Sequence, residues 1–73
     1  MYYVVAMPVP NGAAIRAKRL EQGLGLKEFA RASGVDPGNL SRIERGMSSA
    51  HMATLRRIAA ALDLTVADIS VMT

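Results

Sequence analysis

The stretch GVDPGNLSRIERG, residues 34–46, decides the fold because it contains a turn followed by a well-marked helix start. Asp36 can accept hydrogen bonds from the first backbone N–H groups of a helix. Pro37 suits the first helical position, because the N–H that it lacks would have no partner there. We therefore predict a helix that begins at Pro37, runs to about Arg45 and ends at Gly46.

This predicted helix has two unlike faces. On a repeat of 3.6 residues per turn, Leu40 and Ile43 fall on the same side, which indicates contact with an apolar core. The opposite side carries small and polar residues, namely Gly38, Ser41, Arg42 and Arg45. One side therefore suits packing, and the other suits solvent or a polar ligand.

A second short helix precedes the turn. Apolar residues at i, i+3 and i+4 predict a helix from about Leu26 to Ser33. Only Gly34 and Val35 then separate that helix from the cap at Asp36. Two short helices joined by such a glycine-containing turn form a helix-turn-helix unit, whose second helix enters the major groove of DNA.

Further helices are predicted on both sides of this unit. Asn11 can cap a first helix that runs to about Gln22, and apolar spacing predicts another helix over about residues 51–62. Thr65 can cap a last short helix over about residues 66–70. Because no strand pattern follows Val5, we expect an all-α fold, a compact bundle of five helices.

The first ten residues differ from the rest of the chain. The segment Tyr2–Val5 is rich in aromatic and β-branched residues, which favour an extended strand, and the prolines at positions 8 and 10 end it. We divide the chain into an N-terminal arm over residues 1–10, a helix-turn-helix domain over 11–70 and a tail over 71–73. The arm is either a frayed tail or a strand that pairs with a second copy or packs on the last helix.

Composition limits the classes of function. The 73 residues suffice for one domain, and the lack of cysteine excludes disulfides and cysteine-based zinc sites. A formal net charge of +3 favours a polyanionic partner. No apolar run approaches the length of a membrane span or resembles a signal peptide, so we expect a cytoplasmic protein without membrane contact.

No constellation of catalytic or metal-ligating residues stands out. His51, the single histidine, has no neighbouring cluster of acidic residues, and we interpret it as a surface or capping residue. The sequence contains no Ser-His-Asp arrangement, metal-ligand spacing or phosphate-binding loop. We therefore expect no enzyme, no cofactor and no metal.

From Ile15 to Ile69 the chain resembles the Cro/repressor type of helix-turn-helix domain, found in lambdoid phage repressors and many bacterial regulators. The matching residues are Ile15-Arg16, Arg19, Gly23-Leu24, Glu28-Phe29-Ala30, Gly34-Val35, the run from Leu40 to Gly46, Leu55, Ile58-Ala59 and Ala61-Leu62. The resemblance implies a lambda-repressor-like fold with a short extended N-terminal arm.

The resemblance also implies the roles of individual residues. The residues expected to face base edges are Pro37, Gly38, Ser41 and Arg42. Those expected near phosphates are Lys27, Asn39 and Arg45. Arg42 is the strongest base-contact candidate, because arginine can bond the O6 and N7 atoms of guanine with two hydrogen bonds. Arg19 and Glu44 are expected to form a structural ion pair.

The chain departs from the family at positions that matter for DNA reading. Leu26 stands where the family often has a phosphate-contacting glutamine, so that contact must come from backbone N–H groups or from Lys27. Pro37 and Gly38 stand where polar base-reading side chains are common. We therefore expect direct reading of bases to be limited, with more affinity from phosphates and DNA shape.

The resulting hypothesis is a sequence-specific transcriptional regulator, a repressor that binds double-stranded DNA as a homodimer. A regulator as small as this one would fit a bacterial or phage-encoded protein. The alternative is a protein-interaction module of the same fold, such as an antitoxin that binds a partner toxin; the limited base reading at Pro37 and Gly38 keeps that alternative open.

Overall fold

The computed structural model describes residues 8–72 of the chain. The elements in chain order are strand β1 (Pro8–Pro10), helices α1 (Gly12–Glu21), α2 (Leu26–Ser33), α3 (Pro37–Glu44) and α4 (Met52–Ala61), a 3₁₀ turn (Val66–Ile69) and strand β2 (Ser70–Met72). Four α-helices therefore stand, in this part of the chain, where five helices were expected. The predicted strand at Tyr2–Val5 lies outside the described residues.

The predicted fifth helix is a single 3₁₀ turn. Both the N–H and the hydroxyl of Thr65 donate to Oδ2 of Asp68, each at 2.9 Å, which holds the turn closed at its start. The next residue, Ser70, is already extended, with φ −144° and ψ 164°. The helix cannot continue because the chain leaves it to pair with β1, and such non-local pairing leaves no local sequence signal.

The expectation of an all-α fold is corrected by this strand pair. Strands β1 and β2 run antiparallel, with Val9 opposite Val71, and the segment β2 includes residues that the sequence assigned to a tail. The ladder continues into α1, since the N–H of Asn11 donates to the carbonyl of Ile69 at 2.9 Å. The strand pair thereby joins the start of α1 to the end of the 3₁₀ turn.

The core is aliphatic apart from one phenylalanine. Its buried apolar members are Ile15, Phe29, Ala30, Val35, Leu40, Ile43, Leu55, Ile58, Ala59, Leu62 and Ile69. All four α-helices and the 3₁₀ turn contribute side chains to it, so each helix presents one apolar stripe inward. Packing of these stripes holds α2 and α3 in their relative positions.

The turn between α2 and α3 has the form predicted from residues 34–46. Gly34 is left-handed, with φ 69°, and ends α2. Val35 is 6% exposed, and its N–H donates to the carbonyl of Ala30 at 3.2 Å. Asp36 caps α3 by accepting from the N–H of Asn39 at 3.0 Å. The helix-turn-helix unit is therefore fixed by one apolar anchor and one side-chain cap.

Candidate nucleic-acid interface

Helix α3 is fastened to the protein along one side only. Leu40 and Ile43 are fully buried on that side, and Glu44 is buried at the helix end. The side chains of the opposite face extend from a helix of 8 residues whose start is capped and whose end is braced. Such a rigid helix with one free polar face can be inserted into a groove as wide as the major groove of DNA.

The residues expected to face bases lie together on this free surface. Pro37, Gly38 and Arg42 are exposed, and Ser41 is half-buried. A Cβ built at Gly38 would lie 3.6 Å from Nη1 of Arg42 and 3.1 Å from Oδ2 of Asp36. The guanidinium of Arg42 therefore lies over the first turn of α3, where the absence of a side chain at Gly38 leaves it room.

The residues expected near phosphates surround this surface. Lys27 and Arg45 are exposed, and Arg45 donates weakly from Nε to the carbonyl of Ser41 at 3.4 Å. Asn39 is half-buried, and its Oδ1 accepts from the hydroxyl of Ser48 at 3.4 Å. Ser48 was missed by the sequence analysis, because only the folded loop after α3 brings it beside Asn39.

The exposed cations of this surface have no acidic partner among residues 8–72. The two ion pairs found there are Lys18 with Glu21 and Arg19 with Glu44. Lys27, Arg42 and Arg45 take part in neither. These three charges are consequently available for an anionic ligand.

Arg19 and Glu44 join α1 to the end of α3. Nε and Nη2 of Arg19 donate to the two carboxylate oxygens of Glu44 at 2.8 and 3.0 Å, and Nη1 donates to the carbonyl of Leu24 at 2.8 Å. Both residues are 8% exposed. The hydrogen bonds with Glu44 raise the pKa of Arg19 above its usual range, although burial opposes that rise. The pair acts inside the protein and does not face the free surface of α3.

A basic cleft lies between α2 and the start of α3. It encloses about 330 Å³ and is lined by Lys27, Ala30, Arg31, Val35 and Pro37. Arg31 lies four residues after Lys27 and hence on the same side of α2. The sequence did contain that spacing, but it did not show that α3 begins beside it.

Other kinds of site are not seen in the described residues. Within residues 8–72, no group of three or more histidine, cysteine, aspartate or glutamate side chains is arranged to hold a metal ion. Nor does that part of the chain contain a helix long and apolar enough to cross a bilayer.

The fold and the cationic face of α3 together define a class, the DNA-binding helix-turn-helix domains of transcriptional regulators. A family model for helix-turn-helix domains matches residues 15–69, and the chain belongs to that family. The Cro/repressor-type resemblance read from the sequence is thereby confirmed. No curated protein sequence matches the chain.

Several solved structures are similar to the chain. The clp gene regulator ClgR from Corynebacterium glutamicum is 44% identical, with a TM-score of 0.74, and the match covers 78% of this chain and 61% of that one. The restriction-modification controller protein C.AhdI from Aeromonas hydrophila is 28% identical, with a TM-score of 0.76, and the match covers 78% and 86%.

A further similar structure contains DNA. It is the master regulator for biofilm formation SinR in complex with DNA, 35% identical with a TM-score of 0.73, and the match covers 77% of this chain and 90% of that one. The N-terminal DNA-binding domain of SinR from Bacillus subtilis matches at the same identity and TM-score, covering 77% and 83%.

Proposed function

We propose that this chain is a sequence-specific transcriptional regulator that inserts α3 into the major groove of DNA. The observation that carries the proposal is Arg42, an exposed guanidinium over the first turn of a helix that is capped at Asp36 and braced at Glu44. A fixed helix and an unpaired arginine are what reading guanine requires, because two hydrogen bonds must form together with defined geometry. The similarity to SinR, whose structure contains DNA, supports the same reading.

The proposal assigns two kinds of contact. Base edges are contacted from the free surface of α3, by Pro37, Gly38, Ser41 and Arg42. Phosphates are contacted around it, by Lys27, Asn39 and Arg45. Pro37 and Gly38 can offer only close approach or contact with a thymine methyl group, so Arg42 makes most of the discrimination between base pairs.

The finer points of the regulator are also proposals. We infer a homodimer on a pseudo-palindromic operator, since dimers of this motif place two recognition helices one turn of DNA apart. Occupying an operator blocks access to a promoter, so we propose repression as the outcome. The site of action is the DNA of the bacterial cytoplasm, with a bacterial or phage origin of the chain.

One observation favours a second candidate, a protein-interaction module such as an antitoxin. Met47, Val71 and Val9 expose 68%, 54% and 44% of their surface. Val9 and Val71 also lie opposite each other on the strand pair, so they form a small apolar patch. A solved complex of SinR protein with SinI protein, in which the similar chain is 35% identical over 77% of this chain, gives the candidate a precedent in that relative.

A mobility-shift assay separates the two candidates. The chain is titrated against a duplex selected from a random pool and against a random duplex, each at 50 and 200 mM salt. A regulator binds the selected duplex more tightly than the random one, and both affinities fall steeply with salt. An interaction module that does not use DNA shows no shift even at 50 mM salt, a result that would exclude the proposed function.

A further inference from the structure

Gly12, at the start of α1, lies directly against the end of α3. A Cβ built on Gly12 would lie 2.5 Å from the carbonyl oxygen of Glu44 and 2.8 Å from its carbonyl carbon, and it would also overlap the carbonyl oxygen of Ile43. Gly12 is buried. All of the overlapping atoms belong to the backbone, so no side-chain rotation could make room.

Backbone conformation does not explain this glycine. The glycines of positive φ in the described chain are Gly23, Gly34 and Gly46, and Gly12 is not among them. An alanine at a helical position normally stabilises a helix relative to glycine. The feature that distinguishes Gly12 is therefore the close approach of two backbones, α1 from one side and the last turn of α3 from the other.

The same face of α1 holds α3 at a second point. Arg19 lies seven residues after Gly12, two helical turns further along α1, and binds the carboxylate of Glu44. The main-chain carbonyls of Ile43 and Glu44 thus pack against Gly12, and the side chain of Glu44 accepts hydrogen bonds from Arg19. Asn11 in turn fixes this end of α1 by its bond to Ile69 and by capping the N–H of Ala14.

We propose that Gly12 is a positioning residue that sets the tilt of α3, and through it the placement of Arg42 in the groove. The effect on Arg42 in the groove rests on the proposed function. The effect of Gly12 on the tilt of α3 does not depend on DNA binding. A side chain at position 12 must push the end of α3 outward by nearly an ångström, since carbon–oxygen contacts need about 3.3 Å. Over a helix about 12 Å long, this displacement is a tilt of about 5°.

The expected consequence is a loss of base discrimination that exceeds any loss of general affinity. A bidentate arginine–guanine contact contributes a factor of about 5–150 to discrimination and depends on the direction of both hydrogen bonds. Phosphate contacts tolerate small shifts better, because they act largely through charge. Tilting α3 should therefore lower the ratio of specific to random-duplex affinity about three- to tenfold.

The test compares Gly12→Ala with Ala60→Gly. Ala60 is exposed on α4, carries no charge and lies outside the proposed interface, and its replacement by glycine lowers stability through helix propensity alone. Affinities for the selected and random duplexes are measured at 15 °C, on variants whose far-UV circular dichroism spectra match that of the wild type. Backbone amide ¹H–¹⁵N shifts of residues 40–45 are recorded on the free proteins.

Two results support the proposal together: the affinity ratio falls in Gly12→Ala and not in Ala60→Gly, and the α3 amide shifts move only in Gly12→Ala. The proposal is overturned if the α3 shifts and the affinity ratio of Gly12→Ala match the wild type. It is equally overturned if the ratio falls by the same factor in both variants, since stability alone would then be the cause.

Two further cases keep the test decisive. If the wild type binds no duplex specifically, the proposed function fails. The amide shifts of the free proteins then still test whether Gly12 sets the tilt of α3. If Gly12→Ala does not fold, both variants are remade with Asp63→Gly, which relieves a non-glycine residue at φ 58°.

Discussion

Arg42 and Arg56 are both exposed arginines, one on the free surface of α3 and one on α4, so they form a matched pair for testing base reading. Arg42→Ala removes one charge and one guanine contact, whereas Arg56→Ala removes one charge only. We expect Arg42→Ala to weaken binding to the selected duplex by about 1–3 kcal/mol and to relax the preference at one base pair.

The measurement is titration of both variants against the selected duplex, the same duplex with each guanine replaced in turn, and a random duplex. Arg56→Ala should bind all three with nearly unchanged ratios. Equal losses of Arg42→Ala on selected and random duplexes would make Arg42 a phosphate contact and would refute its assignment to a base.

The buried pair of Arg19 and Glu44 predicts a large loss of stability when either partner is removed alone. Arg19→Ala or Glu44→Ala leaves an uncompensated charge away from water, and we expect the free energy of unfolding to fall by about 3–5 kcal/mol. The double replacement Arg19→Met with Glu44→Leu should cost less than either single change. Denaturant unfolding measures all three, and a double variant less stable than both single variants would show that the residues do not act as a pair.

The stability loss caused by removing Arg19 should not depend on pH near neutrality. The pKa of Arg19 is raised in the folded state by its hydrogen bonds with Glu44, so its contribution is complete below the unfolded-state pKa and is lost only as pH rises through the folded-state value. Both values lie far above neutrality. The loss caused by Arg19→Ala should therefore be the same at pH 7 and pH 9.

At the scale of single residues, the sequence was informative where chemistry is local and silent where the partner is distant in the chain. The family resemblance named Arg19 and Glu44 together, and their side chains meet at 2.8 Å. Nothing in the sequence around Gly12 indicated that its hydrogen faces the carbonyls of α3, because that contact joins residues more than thirty positions apart.

Among the elements, the 3₁₀ turn depends on one carboxylate. Oδ2 of Asp68 accepts from the N–H and the hydroxyl of Thr65, and these bonds, the backbone one foremost, lower the pKa of Asp68 below its usual range. A lowered pKa means that the stabilisation is complete above the usual aspartate value of about 3.9 and is lost as pH falls through the folded-state pKa. Asp68→Asn should therefore melt below the wild type at pH 7, and the two should converge below about pH 4.

Thermal melts between pH 7 and pH 2.5 check this convergence. Thr65→Val is the control, because it removes the hydroxyl donor but keeps the backbone donor; its melting temperature should fall less, with the pH dependence of the wild type retained. A gap between Asp68→Asn and the wild type that stays constant down to pH 2.5 would contradict the assignment.

The helices were predicted well because their signals lie within a few residues of their ends. Helix α2 runs over Leu26–Ser33 as expected, and α3 begins at Pro37 and ends one residue before the predicted Arg45. The strand pair and the truncated last helix were not predicted. Residues 8–10 pair with residues 70–72, at opposite ends of the described chain. Such a distant pairing leaves no pattern in the neighbouring sequence, and it also ends the last helix early.

On the scale of the whole molecule, one copy of the chain has a single helix face and few positive charges with which to contact DNA. The net charge is +3, and Lys27, Arg42 and Arg45 are the cations assigned to the interface. Each phosphate neutralised contributes about −0.9 to the slope of log affinity against log salt. A single copy would therefore have a modest salt slope and little discrimination, whereas two copies on one operator double both.

We accordingly predict that the selected DNA contains two inverted half-sites whose centres are about 10–10.5 base pairs apart, one turn or 34–36 Å. Duplexes with that spacing should bind two copies cooperatively, as measured by sedimentation of the complex. Adding 5 base pairs places the second half-site on the opposite side of the DNA, so cooperativity should disappear while the affinity of each half-site remains. A selected site without inverted symmetry, bound by one copy whatever the spacing, would contradict the homodimer and leave α3 to read DNA alone.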